Sequence, residues 1–208
     1  MIALRFSQKY RRSNIVMLMM LGPFITPVLA EGTASMTRSY ANFNEQAELI
    51  RPTGYREWIF VGTPLTPNDM NNGKAAFPEF HNVYIDPVSW AHWKKTGEFP
   101  DGTLVMKELV SVGSKQATSG KGYFQGEYLG LEASLKSKKQ FPDAPGNWGF
   151  FRFTIESSLD LRKTAAVEPE KNCSACHQAS AATDQVFTQY YPVLRAAMGK
   201  GEAGTGGK

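Results

Sequence analysis

The sequence has 208 residues, with 23 lysines and arginines against 19 aspartates and glutamates, and it contains only two cysteines. This length is enough for one domain with a substantial core. Four of the basic residues and none of the acidic ones lie among the first thirty, so the remainder carries equal numbers of each charge, which removes the main electrostatic reason for binding nucleic acid.

The N-terminal segment has the three parts of a secretory signal. Positive charges come first, at Arg5, Lys9, Arg11 and Arg12. An uncharged run follows from residue 15 to residue 29, and small residues end it at Ala30. At about fifteen residues, this run is shorter than the roughly 20 that cross a bilayer as a helix. We therefore expect cleavage after Ala30 and export of the remainder, with a retained membrane anchor as the alternative.

Five segments predict strands, because bulky apolar residues alternate along them and turn residues separate them. They are residues 56–64, 80–86, 103–113, 122–136 and 147–156. A helix is predicted between the second and third strands, where "PVSWAHWKK" begins with Pro87 and the pattern stops at Gly97. Strands that follow one another without long helices favour an antiparallel sheet. The predicted fold class is therefore α+β, mainly an antiparallel β-sheet with a few flanking helices.

The remaining segments are less regular. Residues 42–50 ("NFNEQAELI") have a helix-like pattern, and residues 157–172 are charged and irregular. An amphipathic helix is predicted over residues 182–198, with a bend at Pro192. The glycine-rich tail, residues 199–208, is predicted to be flexible.

Both cysteines belong to one C-x-x-C-H motif, formed by Cys173, Cys176 and His177. A thioredoxin-like redox pair would need a βαβ context, which the predicted elements lack. A structural zinc site would need a further ligand, such as His81, His92 or a carboxylate. Attachment of a c-type haem needs two thiols for thioether bonds, a histidine for the iron, and export. We therefore predict one haem c, attached through Cys173 and Cys176, with His177 as the proximal iron ligand.

The motif follows the five predicted strands, so the haem is expected to lie against the sheet. In "YFQGEYLGLEAS", regular alternation would put Gly126 and Gly130 on the same face as Phe124, Tyr128 and Glu132. Two glycines on one face would leave a flat surface for a haem, with Glu132 at its edge. The alternative is a bulge or a tight bend, with Glu132 in solvent.

Two further side chains are candidates for the same site. Lys107 shares a strand face with the apolar Val105 and Leu109. One interpretation is a lysine whose amine reaches solvent at the sheet edge. The other is a buried lysine whose amine is paired with an anion, deprotonated or used in a chemical reaction. His81 lies on the face of Val83 and is either a hydrogen-bonded core histidine or a proton carrier in a ligand pocket.

Together these segments resemble the cytochrome P-460 family, exported haem c proteins of ammonia- and methane-oxidising bacteria. The similarity runs, in this order, through "YREWIFVGTPLTPNDMNNGKAAF", "VYIDPVSWAHWKKTGEFPDGT", "KELVSVG", "GYFQGEYLGLEAS", "PGNWGFF", "CSACH" and "VFTQYYPVLRAA". It covers nearly all of residues 31–198, which we take as one cytochrome P-460-like haem domain.

The resemblance implies a periplasmic homodimer with one haem c per chain and an open distal position on the iron. The family's activity is oxidation of hydroxylamine, chiefly to nitrous oxide without oxygen, or to nitric oxide and nitrite with oxygen. The electrons pass to a periplasmic redox partner, such as another cytochrome c. A lysine joined to a meso carbon of the porphyrin maps to Lys107, and a carboxylate that assists proton removal maps to Glu132. Where an arginine is expected in the pocket, this chain has His81, our second candidate catalytic residue.

Two alternatives to this enzyme stay open. Related β-type cytochromes c′ lack the crosslink and bind nitric oxide, so a non-catalytic nitric oxide carrier or sensor is the first. A plain electron carrier is the second, and it would need a strong sixth iron ligand, for which Met70 and Met106 are the candidates.

Overall fold

The computed structural model describes residues 39–156 and 158–198. All of them belong to the second of two compact units, Met36–Lys208. The expected signal segment, residues 1–30, and the glycine-rich tail, residues 199–208, lie outside the described residues and stay predictions. No helix in the described part of the chain is long and apolar enough to cross a membrane.

Within these ranges the chain forms strands and three short α-helices. The helices are Pro87–Thr96 (α1), Ser174–Ser180 (α2) and Pro192–Ala197 (α3). The strands are Leu49–Ile50 (β1), Ile59–Gly62 (β2), Phe80–Ile85 (β3), Leu104–Val112 (β4), Gln116–Ala117 (β5), Gly120–Lys121 (β6), Gln125–Lys136 (β7), Trp148–Arg152 (β8), Thr154–Ile155 (β9), Ser158–Leu161 (β10) and Thr164–Ala165 (β11). This combination confirms the predicted α+β class.

Five of the strands form the main sheet, in the order β2-β3-β4-β7-β8, and each is antiparallel to its neighbours. They are the five strands predicted from the alternation of bulky residues. A short hairpin of β5 and β6 is inserted between β4 and β7. The segment predicted to be irregular, residues 157–172, contains β10 and β11, which pair with β9 and β1, so that prediction is wrong for part of its length.

Different parts of the chain cover the two faces of the sheet. The first face carries a core shared with α1 and α3, and its sheet residues include Val83, Ile85, Val105, Trp148 and Phe150. The second face carries a core shared with the segments before β2 and after β8, and its sheet residues include Leu104, Met106, Leu131, Leu135 and Phe151. Side chains alternate along a strand, so Lys107 falls on the first face and Glu108 on the second.

Helix α1 begins and ends as the sequence predicts. Asp86 is the N-cap, with Oδ1 accepting a hydrogen bond from the backbone N–H of Ser89 at 2.8 Å, and Pro87 takes the first helical position, where no N–H is needed. Gly97 ends the helix at φ 70°, a left-handed conformation that glycine adopts without strain. Asp86 Oδ2 accepts a second hydrogen bond from Leu104 N at 2.9 Å. One buried carboxylate therefore ties α1 to β4.

The helix predicted over residues 42–50 is wrong, because this segment is a turn that leads into β1. The side-chain oxygen of Asn44 accepts hydrogen bonds from the backbone N–H groups of Gln46 and Glu48, at 3.1 and 2.8 Å. Ala47 has φ 58°. An asparagine that bonds the backbone just after it offers that backbone an alternative to a helix.

The helix predicted over residues 182–198 is also wrong for most of its length. Asp184 and Gln185 have φ 45° and 59°, and an α-helix requires negative φ. Pro192 is the first residue of α3 and not a bend within a longer helix. Proline suits that first position because its φ is fixed at a helical value.

Candidate functional site

Three charged side chains line up across three neighbouring strands of the sheet. Lys107 of β4 lies directly opposite Glu132 of β7, which lies directly opposite Arg152 of β8. Residues paired in this way project from the same face. Lys107 Nζ is 2.6 Å from Glu132 Oε2, and Arg152 Nε is 3.7 Å from Glu132 Oε1. We call these three residues the charged row.

Lys107 is enclosed and paired. Its side chain is 25% exposed, and Nζ lies 5.7 Å from the centre of the Phe77 ring. A lysine removed from water needs an anionic partner, and Glu132 supplies it. Of the two interpretations that the sequence left open, the lysine with a partner is therefore the one that fits.

His81 lies on β3, and its side chain is also paired with a carboxylate. Its Nε2 is 3.4 Å from Glu79 Oε1, and its ring centre is 6.0 Å from that of Phe77. Burial tends to raise the pKa of Glu79, but the hydrogen bond with His81, helped by backbone and charge contacts, outweighs burial and leaves this pKa below its usual value. The two side chains form a part-buried acid–base pair.

The C-x-x-C-H motif forms the beginning of α2. Cys173 is the N-cap residue and is partly buried, whereas Cys176 is exposed, and both are free thiols. Burial raises the pKa of the Cys173 thiol. The motif therefore puts both cysteine side chains at the start of one short helix.

His177 has one nitrogen engaged and one available. Its Nδ1 donates a hydrogen bond to the backbone carbonyl of Gln185 at 2.7 Å, and Nε2 makes no hydrogen bond to any of the described residues. The ring centre lies 4.5 Å from that of Phe150 and 4.7 Å from that of Phe187. Burial lowers the pKa of His177, which favours the neutral imidazole that binds metals.

A cavity of about 260 Å³ joins the charged row to the C-x-x-C-H motif. Its polar and reactive wall residues include His81, Lys107, Glu132, Arg152, Cys173, Cys176 and His177. Its apolar wall residues include Leu65, Phe77, Val83, Val105, Phe150 and Phe187. All six residues that the sequence singled out for the site therefore lie on one cavity.

The residues of this cavity fit a c-type haem. Two free thiols in C-x-x-C spacing and an imidazole with an available Nε2 are the groups that thioether attachment and iron ligation need. The mostly apolar wall suits a porphyrin. In residues 39–156 and 158–198, no group of three or more His, Cys, Asp or Glu side chains is placed to hold a bare metal ion, so the zinc alternative lacks a ligand set there.

The two methionines considered as sixth ligands lie away from the cavity. Met70 is 74% exposed at the end of the short 3₁₀-helix Asn68–Met70, and Met106 is fully buried in the core on the second face of the sheet. Neither lines the cavity. The electron-carrier alternative therefore loses both of its candidate ligands.

The flat glycine surface predicted on β7 is wrong. The pairing with β4 shifts between Leu109 and Val110, and this bulge turns Tyr128 into the core on the second face. At Gly130 a Cβ atom would overlap the side chain of Thr154, so this glycine makes room for protein and not for a ligand. The sequence analysis gave a bulge as the alternative, with Glu132 in solvent. The bulge is present, but Glu132 faces the cavity.

Arg152 is the site residue that the sequence analysis missed. Its Nε is buried and has no hydrogen-bond partner among the described residues. Strand alternation from Phe150 in "WGFFRF" puts Arg152 on the same face, so the signal was present in the sequence. An arginine therefore does line the pocket, two strands away from Lys107.

A family model described as cytochrome P460 matches residues 52–188. A search of curated proteins found no match. The matched segment contains the five-stranded sheet, the charged row and the C-x-x-C-H motif. The chain therefore belongs to the cytochrome P460 family, and a covalently bound haem c is the cofactor that this membership implies.

Proposed function

We propose that this chain is a periplasmic enzyme that oxidises hydroxylamine to nitrous oxide, or to nitric oxide and nitrite with oxygen. It would act as a homodimer and pass electrons to another cytochrome c. The single observation that supports catalysis is the charged row, because it puts a carboxylate and two cations on the wall of the cavity that also holds the C-x-x-C-H motif.

Cys173 and Cys176 would hold the haem through thioether bonds, and His177 Nε2 would bind its iron. When bound, the haem supplies an iron that takes the substrate nitrogen and accepts electrons. The rings of Phe150 and Phe187 both contact the imidazole and restrict its rotation. The protein's part is then to position the substrate, move protons and limit the access of water.

Glu132 is the proposed proton acceptor. Oxidation of hydroxylamine to nitrous oxide and water releases protons together with electrons, so a base must be present inside the cavity. The side chain of Glu132 is 18% exposed and is flanked by Lys107 and Arg152. The side chain of Arg152 is 36% exposed and lines the cavity, so its guanidinium group is proposed to donate a hydrogen bond to the substrate oxygen.

Lys107 has a second proposed role, as a further covalent link to the porphyrin. While Nζ is free, its ammonium group neutralises Glu132 across 2.6 Å. In a chain that carries this link, Nζ would no longer be an ammonium group, and Arg152 would be the cation next to Glu132. The crosslink would then release the carboxylate for proton transfer while it fixes the orientation of the macrocycle.

His81 is proposed to carry protons away from the cavity. It lines the cavity and is hydrogen-bonded to Glu79. An imidazole accepts a proton on one nitrogen while it donates another from the second. The pair therefore offers an exit for protons at the β3 side of the cavity.

The test compares two glutamates of the same strand. Glu132→Gln should lower anaerobic turnover of hydroxylamine by about 10²–10⁴-fold, the usual contribution of a general base. Glu127→Gln is the control, because Glu127 is exposed on β7 and does not line the cavity. Both variants should keep their haem. Wild-type turnover in Glu132→Gln would refute the proton-acceptor role.

A nitric oxide carrier is the second candidate, and the mostly apolar wall of the cavity is the observation that favours it, because it suits a small apolar ligand. Mass spectrometry of the haem peptide separates the two candidates. A haem joined only through Cys173 and Cys176, together with nitric oxide binding and no hydroxylamine turnover, would support the carrier.

A further inference from the structure

Two consecutive residues beside the C-x-x-C-H motif have unusual backbone conformations. Asp184 and Gln185 have φ 45° and 59°, in the left-handed region that residues with a Cβ atom seldom adopt. Such conformations persist only where the surroundings enforce them, and they are concentrated at functional sites. Here the second of the two residues offers its carbonyl to His177 Nδ1 at 2.7 Å.

The side chain of Asp184 is held from two sides. Its Oδ1 accepts a hydrogen bond from Trp148 Nε1 at 3.1 Å, and its Oδ2 is paired with Lys136 Nζ. Lys136 and Trp148 lie directly opposite each other on β7 and β8. The side chains of Lys136 and Asp184 are only 17% and 27% exposed. The rigid sheet therefore anchors the residue that precedes Gln185.

Gln185 is itself tied down by its side chain. Its Nε2 donates to the backbone carbonyl of Pro145, and its Oε1 accepts from Ser174 Oγ at 3.3 Å. Ser174 lies in α2, one residue after Cys173. The carbonyl that bonds to His177 is thus fixed relative to both the sheet and the motif helix.

We propose that Asp184 is a positioning residue for the haem: anchored by Lys136 and Trp148, it holds the Gln185 carbonyl on His177 Nδ1 and so sets how strongly this imidazole donates electrons to the iron. The inference rests on the proposed role of His177 as an iron ligand, and it is independent of hydroxylamine as the substrate. Lys136 and Trp148 act only through Asp184.

The physical basis is the partial negative charge on the imidazole. A firm hydrogen bond from Nδ1 to a carbonyl makes the ligand more basic. A more basic ligand stabilises ferric over ferrous iron and lowers the reduction potential. Loosening the anchor lets the Gln185 carbonyl move away from Nδ1, so the potential should rise and the iron–histidine bond should weaken.

Lys136→Met is the decisive variant, because the positioning role and simple electrostatics predict opposite changes in its reduction potential. Removal of a positive charge near the haem would lower the reduction potential, whereas loss of the anchor on Asp184 should raise it. Lys139→Met is the matched control, since Lys139 is exposed three residues further along and has no partner in the described part of the chain. It removes the same charge and leaves the anchor intact.

The measurements are the reduction potential of the purified holoprotein and the iron–histidine stretching frequency of its ferrous form. In Lys136→Met we expect the potential to rise and the frequency to fall, with neither change in Lys139→Met. A potential that falls or stays constant in Lys136→Met would overturn the inference.

If Lys136→Met does not retain haem, Asp184→Asn decides, because asparagine keeps an acceptor for Trp148 and tolerates positive φ. The stretching frequency should fall in this variant as well, and an unchanged frequency would overturn the inference. Both readouts are taken without substrate, so they remain valid even if the protein does not oxidise hydroxylamine.

Discussion

Replacement of Asp86 by alanine should destabilise the domain strongly, because its 1% exposed side chain makes two buried hydrogen bonds. Loss of the N-cap of α1 costs about 1 kcal/mol. The N–H of the fully buried Leu104 would also lose its acceptor, which adds about 1–3 kcal/mol. The free energy of unfolding should therefore fall by about 2–4 kcal/mol in total. In a domain of this size the unfolding temperature should fall by roughly 5–15 °C.

The assay is urea denaturation followed by far-ultraviolet circular dichroism. Asp101→Ala is the control, because the exposed Asp101 also accepts a backbone hydrogen bond, from Lys138 N at 2.7 Å. That N–H can bond to water after the substitution, so the control should lose less than about 1 kcal/mol. Equal losses in the two variants would refute the view that Asp86 joins α1 to β4.

Three further outcomes are expected. Gly130→Ala should lower the free energy of unfolding by about 1–3 kcal/mol, because the added methyl group overlaps Thr154. The double variant with Thr154→Ala should lose less stability than the sum of the two single variants. Additive losses would exclude the overlap. Burial raises the pKa of Tyr191, so the unfolded chain loses this proton first and stability should fall as the pH rises above about 10. Thermal denaturation of Tyr191→Phe should show a smaller alkaline decrease, and an equal decrease would contradict this assignment. Met70→Leu and Met106→Leu should leave the absorption spectrum of the holoprotein unchanged, whereas loss of a low-spin spectrum in either would identify the sixth ligand of an electron carrier.

The features that could be predicted from the sequence depend on nearby residues. All five strands of the main sheet were predicted, because bulky residues alternate along them and glycine or proline separates them. Helix α1 was predicted because Pro87 and Gly97 mark its ends locally. The membership of Cys173, Cys176 and His177 in one site follows from their spacing alone.

The features that were missed depend on contacts distant in sequence or on competing local hydrogen bonds. Gly130 makes room for Thr154, 24 residues later in the chain, and no local pattern distinguishes that from room for a ligand. The bulge that turns Tyr128 away from Glu132 arises from pairing with β4. The left-handed Asp184 is enforced by Lys136 and Trp148 on the sheet, so the apolar periodicity around it indicated a helix that does not form.

The charged row also helps to fix the register of the strands that carry it. A slip of β7 by one residue would turn Glu132 to the other face and bring the apolar Leu131 between Lys107 and Arg152. The groups proposed to serve a ligand therefore also penalise wrong pairing of their own strands. Exchange of Lys107 and Glu132 would put a lysine directly opposite Arg152, and like charges in that position destabilise strand pairing. The pairing that fixes the register therefore also fixes the carboxylate on the middle strand of the charged row.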